Sequence, residues 1–199
     1  MYLLSGEKIT CGYGTVDIVI NCNIGVYKGK ISSVVGPNGA GKSTAMKALF
    51  GLLPIKHGKI VFDGEDITNL PPQQRVLKGM GFVPQTNNIF PSLTVQENLE
   101  MGAFIDQNNI NEMLEYVYDL FPVLKDKKNQ DAGELSGGQR QQVAVGRALM
   151  TKPKLLMLDE PSAGVSPIIM DGLFTKIKEI ANQGTAVLMV EQNAKQALK

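Results

Sequence analysis

Three short stretches of this chain gather residue types that handle phosphate. Gly36–Thr44 read GPNGAGKST. Glycines there let backbone amides turn inward around an anion where a side chain would clash. Lys42 adds a full positive charge, and a helix starting at Lys42 adds the positive end of its dipole. The Ser43 hydroxyl suits Mg2+. Leu155–Glu160 read LLMLDE, an apolar strand ending in two carboxylates. Asp159 can hold Mg2+ directly or through water, and Glu160 can polarise an attacking water. Leu135–Gln139 read LSGGQ. Ser136, Gly137 and Gly138 open a helix, so free amides and a hydroxyl face outward towards a terminal phosphate.

Each stretch also has a plainer reading: a glycine-rich turn, a strand closed by charged loop residues, a helix N-cap. Context decides between them. Ile31–Val35 is a β-branched apolar run that stops at Gly36, and a helical pattern begins near Lys42. That strand–loop–helix order is what a G-x-x-x-x-G-K-[ST] phosphate loop requires. A single domain rarely needs two phosphate clamps. LSGGQ therefore implies a head-to-tail pair, in which this helix tip covers the ATP and Mg2+ held by the loop of its partner.

The elements that must position these residues follow from hydrophobic period and turn signals. Leu4–Ile9 and Ile18–Ile24 read as short strands joined by a turn at Gly12–Gly14. Lys59–Phe62 is a strand with a turn at Asp63–Gly64, and Pro71–Pro72 opens a helix. Gly81–Pro84 is strand-like and leads to Gln85. Thr94 with Glu97 three residues on has the pattern of a capping box. From Thr94 to about Ile180 the long segments are mostly helical, and a helix-rich insert, Asn87–Gln130, lies between strands. Ser136 caps a helix running to Met150. Lys154–Leu158 and Thr185–Val190 read as buried strands.

Composition bounds the rest. With 199 residues and 43% hydrophobic content, the chain suits one globular domain with a sizeable core. Lys+Arg 20 against Asp+Glu 19 gives a net charge of +1, which offers nothing to nucleic acid or anionic membrane. Apolar runs such as Ala186–Val190 fall far short of a membrane span, and the MYLLSGEK start lacks signal-peptide character. Cys11 and Cys22 are two reduced core thiols or a disulfide. His57 is the only histidine, which leaves no material for a histidine metal site or triad.

With these three motifs in this order, the sequence resembles the ATP-binding subunits of ABC transporters over essentially its whole length. The resemblance implies an α/β P-loop NTPase with a RecA-like core and a parallel central sheet. An N-terminal antiparallel β subdomain and a helical subdomain at about 87–150 complete a single ATP-binding domain spanning 1–199. Gly36, Pro37, Asn38, Gly39, Ala40, Gly41, Lys42, Ser43 and Thr44 then hold the nucleotide. Leu135, Ser136, Gly137, Gly138 and Gln139 form the signature presented to the opposite subunit. Tyr13 is similar to the aromatic residue that stacks on adenine, against the alternative of a buried strand-end tyrosine. Gln85, in GFVPQ, is similar to the glutamine that touches Mg2+ and hinges the helical lobe. Phe90–Leu93 fall where such subunits dock a membrane protein, although local core packing explains apolar residues there equally well. Implied partners are a second ATPase subunit, either a homologous sister chain or a second copy, two integral membrane permeases and, indirectly, an external solute-binding protein. The implied location is the cytoplasmic face of the cell membrane.

Two departures stand out. Many family members carry histidine after the last core strand, at a γ-phosphate contact, and here Val190–Asn193 read VEQN with Gln192 in that place. Glutamine keeps a donor and an acceptor but does not titrate. Ser162–Pro167, SAGVSP, also lacks the aspartate common in that loop. Yet EPSAGVSP and VEQNAKQAL closely resemble the LivF-type ATPases of branched-chain amino acid importers, with urea or amide importers as the near rival. DNA-repair and translation-associated ABC ATPases need a long coiled coil or two cassettes, and a regulatory subunit with little turnover sits poorly with an intact Asp159–Glu160 pair. A helix is expected from about Asn193, and the chain stops inside it at Lys199, so the family pattern implies a truncated C-terminal end.

Overall fold

The computed structural model describes residues 1–163, 165 and 167–192. The helix expected from Asn193 lies outside these residues, as do Gly164 and Ser166 of the SAGVSP loop.

Two sheets sandwich a helix. β1 (Tyr2–Tyr13) and β2 (Val16–Tyr27) form an antiparallel hairpin that turns at Gly14, φ 56°. β4 (Ile55–Phe62) and β5 (Glu65–Asp66) extend it in the order β2-β1-β4-β5. β3 (Ile31–Val35) leads through the glycine loop into α1 (Lys42–Phe50). β3 joins β6 (Met80–Val83), β7 (Leu155–Asp159) and β8 (Ala186–Glu191) in an all-parallel sheet, order β3-β8-β7-β6. Between β6 and β7 run α3 (Val95–Glu100), α4 (Ile110–Leu120), α5 (Pro122–Asp126) and α6 (Gly137–Leu149), with α2 (Pro72–Leu77) before β6 and α7 (Pro167–Asn182) after β7. Among the described residues no helix is long and apolar enough to cross a membrane.

β7 and β8 are apolar along almost their whole length because both faces are covered. Leu155 and Met157 of β7, with Leu188 and Val190 of β8, face a core shared with α1 and the antiparallel sheet. Leu156, Leu158, Val187 and Met189 face the opposite core, built with α6, α7 and the inserted helices. The period-2 alternation of strand side chains thus splits one run of hydrophobes between two cores.

Both hairpin strands run well beyond their apolar patterns, Leu4–Ile9 and Ile18–Ile24, and β4 starts at Ile55 rather than Lys59. Register shifts between Gly6 and Ile9 and between Ile9 and Cys11 break the alternation that marks a strand. Lys8 and Asn21 sit at positive φ, 50° and 51°, as bulged residues do. Cys11 pairs with Val19 and Cys22 with Ile9, and both thiols are free, so the reduced alternative holds. Burial pushes both thiols up.

Candidate functional site

Parallel pairing aligns the carboxyl ends of the central strands. Val35 lies opposite Glu191, and Asp159 opposite Val190. The glycine loop, the Asp159–Glu160 pair, the Glu191–Gln192 turn and, two residues past β6, Gln85 therefore emerge along one sheet edge. That edge is where open parallel sheets hold ligands.

The loop Pro37–Ala40 is exposed, with Ala40 N donating to Pro37 O at 3.3 Å. Gly41 then takes φ 83°, and α1 begins with no side-chain cap. The first amides of α1 have no acceptor within their own helix, and the missing cap leaves them to an external anion. Lys42 is 7% exposed, and its Nζ donates to Pro37 O at 3.0 Å and lies 3.3 Å from Glu160 Oε1. Glu160 Oε2 accepts from the Gln85 amide at 3.0 Å. Ser43 Oγ donates to Asp159 Oδ1 at 2.7 Å. Burial pushes the Asp159 carboxyl up, the Ser43 bond opposes this, and the Glu160 charge adds to it. A hydroxyl and a carboxylate, both hard oxygen donors on a tight pair of elements, fit Mg2+.

Glu160 holds φ 48°, a left-handed conformation that a non-glycine residue adopts at a cost of about 1–3 kcal/mol. Its amide donates to Val190 O at 3.0 Å, and Ala163 N donates to Glu160 O at 3.0 Å. Gln192 is exposed directly after β8.

Tyr13 stands at the half-exposed tip of the hairpin, not in a core. The same hairpin leans on the glycine loop, since a Cβ on Gly41 would lie 3.1 Å from Ile18 Cγ2. Ser136 and Gln139 cap α6 reciprocally: Ser136 Oγ accepts from Gln139 N at 3.3 Å and Gln139 Oε1 from Ser136 N at 3.1 Å. The signature residues are not equivalent. Leu135 is buried in the core, Ser136 is exposed, and Gly138 is packed so closely that an added Cβ would lie 2.2 Å from Ile169 Cγ2 of α7. One glycine of this pair is thus needed for helix packing, and only part of the motif faces outward.

Several groups that hold the site escaped sequence reasoning. Arg147 of α6 donates from Nη2 to Asn88 O at 2.9 Å and stacks 4.8 Å from the Phe90 ring centre. Asn88 Nδ2 donates to Gln141 Oε1 at 2.8 Å, so α6 grips the segment that follows Gln85 at two points. Buried Asn98 of α3 grips its other side, accepting from Phe90 N at 2.7 Å and donating to Phe90 O at 2.9 Å. Phe90 remains 44% exposed beside Met101 and Phe104, giving an apolar groove between the insert and β6. Glu191, fully buried, accepts from Ser162 Oγ at 2.6 Å and Ser162 N at 3.3 Å. None of these pairings has a local sequence signal.

This fold and phosphate edge define a P-loop ATPase cassette. The chain belongs to the ABC transporter family, as an ATPase subunit: the family profile matches residues 19–163. It is 43% identical over 198 residues to the high-affinity branched-chain amino acid transport ATP-binding protein BraG of Pseudomonas aeruginosa, covering 99% of this chain and 85% of that one. It is 36% identical over 202 residues to the lipopolysaccharide export system ATP-binding protein LptB of Haemophilus influenzae, covering all of this chain and 83% of that one. A solved ATP-binding cassette of an ABC transporter superposes with a TM-score of 0.91 at 32% identity, covering all of this chain and 85% of that one.

Proposed function

We propose that this chain hydrolyses MgATP to drive an importer of branched-chain amino acids: leucine, isoleucine and valine. The observation that carries the reading is the 43% identity to BraG over nearly the full length, with a LivF of Archaeoglobus fulgidus at 39% over 99% of the chain. The substrate is chosen elsewhere, by membrane permeases and an external binding protein, and relatives at 36% identity serve lipopolysaccharide export. A urea or amide importer is the alternative within the same architecture.

In this reading the Gly36–Thr44 amides and Lys42 bind the phosphates, and Tyr13 supports the adenine. Ser43 and Asp159 hold Mg2+ with Gln85 nearby; when bound, Mg2+ neutralises charge on the phosphate oxygens. Glu160, held from one side by Lys42 and from the other by Gln85, takes the proton of the attacking water. Gln192 offers an uncharged donor to the terminal phosphate. Ser136 and the exposed amides of the α6 tip complete the site of a second subunit, and the Phe90 groove receives a permease segment at the inner membrane surface. The 87–150 insert acts as the lobe that carries both surfaces. Nucleic acid has no place in this scheme.

Uptake of labelled leucine and of labelled urea, measured in cells lacking this gene and in cells restored with wild-type or Glu160→Gln protein, tests the reading. Leucine uptake restored by wild type alone is expected. Restoration of urea uptake instead transfers the assignment to the rival.

A further inference from the structure

We infer that Glu191 is a positioning residue for Glu160: through Ser162 its buried carboxylate fixes the turn that carries the water-activating group. The inference rests on the reading of Glu160 given above. Glu160 sits in a strained left-handed conformation, φ 48°, which persists only where the surroundings over-determine it. Two attachments from the end of β8 supply that constraint. Val190 O accepts the Glu160 amide at 3.0 Å, and the Glu191 carboxylate accepts both the hydroxyl and the amide of Ser162, at 2.6 and 3.3 Å. The Glu160–Ala163 backbone bond closes the turn between them. The same Glu191 accepts Gly36 N on its own carbonyl at 3.4 Å, so one residue touches both the entrance of the phosphate loop and the turn bearing Glu160.

The chemistry of the placement argues for a positional role. A carboxylate with no exposure is costly unless paired, and an apolar side chain at the end of β8 would pack at lower cost. Here the donors recorded on Glu191 are all neutral, the hydroxyl and amide of Ser162 and the backbone amide of Gln192; burial raises its pKa, and the nearby Glu160 charge raises it further. What Glu191 gains is geometry: two directed bonds onto the segment two residues past Glu160.

Steady-state hydrolysis, MgATP affinity and thermal melting of Ser162→Ala, Ser162→Thr, Glu191→Gln and the Ser162→Ala/Glu191→Gln double variant test this. Expected are losses of kcat of the order of ten- to hundredfold for Ser162→Ala and Glu191→Gln, as for a reacting group displaced by a fraction of an ångström. KM for MgATP stays within about twofold, Ser162→Thr retains activity, and the double variant is no worse than the poorer single. Wild-type rates in Ser162→Ala, losses that multiply in the double variant, or a loss confined to KM overturn the inference while leaving Glu160 as the base. A wild-type protein that binds MgATP without hydrolysing it overturns the reading of Glu160 and this inference with it.

Discussion

Lys42 Nζ and Glu160 Oε1 lie 3.3 Å apart, joining the glycine loop to the carboxyl end of the central sheet. Both are largely buried, and the second oxygen of Glu160 is taken by the Gln85 amide at 3.0 Å. The carboxylate is therefore oriented from two sides, which the proposed role of base towards one water requires.

Glu160→Gln keeps an oxygen for the Lys42 side or for Gln85 but removes the charge. Hydrolysis is expected to fall by about two to four orders of magnitude, the usual contribution of a positioned base. Nucleotide affinity is expected to hold or tighten, and the paired assembly to live longer, because closure is no longer followed by cleavage. Single-turnover hydrolysis and size-exclusion profiles with MgATP check this, and ordinary turnover in the variant would remove Glu160 from its role.

The Ser43–Asp159 bond at 2.7 Å places two hard oxygen donors against each other from α1 and β7. Ser43→Ala is expected to weaken MgATP binding by about tenfold or more while leaving metal-free ATP binding little changed. Titrations with and without EDTA separate the two. An equal loss in both would assign Ser43 to the nucleotide alone.

How much of this was readable in the chain follows from what each feature depends on. Gly36–Thr44 and Leu155–Glu160 are contiguous, and their strand and helix contexts are local, so chemistry and placement both show. The Thr94 and Ser136 caps show for the same reason, and both form capping boxes. The 116-residue separation between Ser43 and Asp159 is closed only by the parallel sheet; the motifs gave each residue a Mg2+ role, but not the contact between them. Arg75 escaped altogether. It is 2% exposed and donates to the carbonyls of Leu49, Leu70 and Thr68, at 2.7, 2.8 and 2.9 Å, with burial pushing it down to about 10. A lone arginine in a helix pattern reads as solvated; its burial is explained by the C-terminal carbonyls of α1, brought in by tertiary packing, together with the loop carbonyls of Thr68 and Leu70. The hairpin lengths were hidden by bulges, which erase the alternation that sequence reading relies on.

Gly138 is the point where signature and packing meet. Its added Cβ would lie 2.2 Å from the stiff, β-branched Ile169, so α6 must move away from α7. Gly138→Ala is expected to cost about 1–3 kcal/mol of stability and to lower hydrolysis by the paired subunits, with MgATP binding at the phosphate loop retained. Denaturant titration and ligand binding measure the two effects. Gly138→Ala combined with Ile169→Ala, which removes the clashing Cγ2, is expected to recover part of both. If the stability returns but hydrolysis does not, the glycine is required for its exposed amide as well as for packing.

Glu97 tests how the segment beyond Gln85 is held. Its Oε2 accepts from both the amide and the hydroxyl of Thr94, each at 2.8 Å, and these bonds hold its carboxyl below the ordinary range. A depressed folded-state pKa means the charged form is favoured on folding. The stabilisation is fully present above the unfolded value near 4.5 and is lost as pH falls through the lower folded value. Glu97→Gln retains an acceptor but not the charge, so the wild type is expected to melt above the variant at pH 7. The gap should close as the pH falls from the unfolded value through the lower folded one. A gap of constant size across that range would show that the capping box owes its strength to hydrogen-bond geometry alone, with no part from the carboxylate charge at the start of α3.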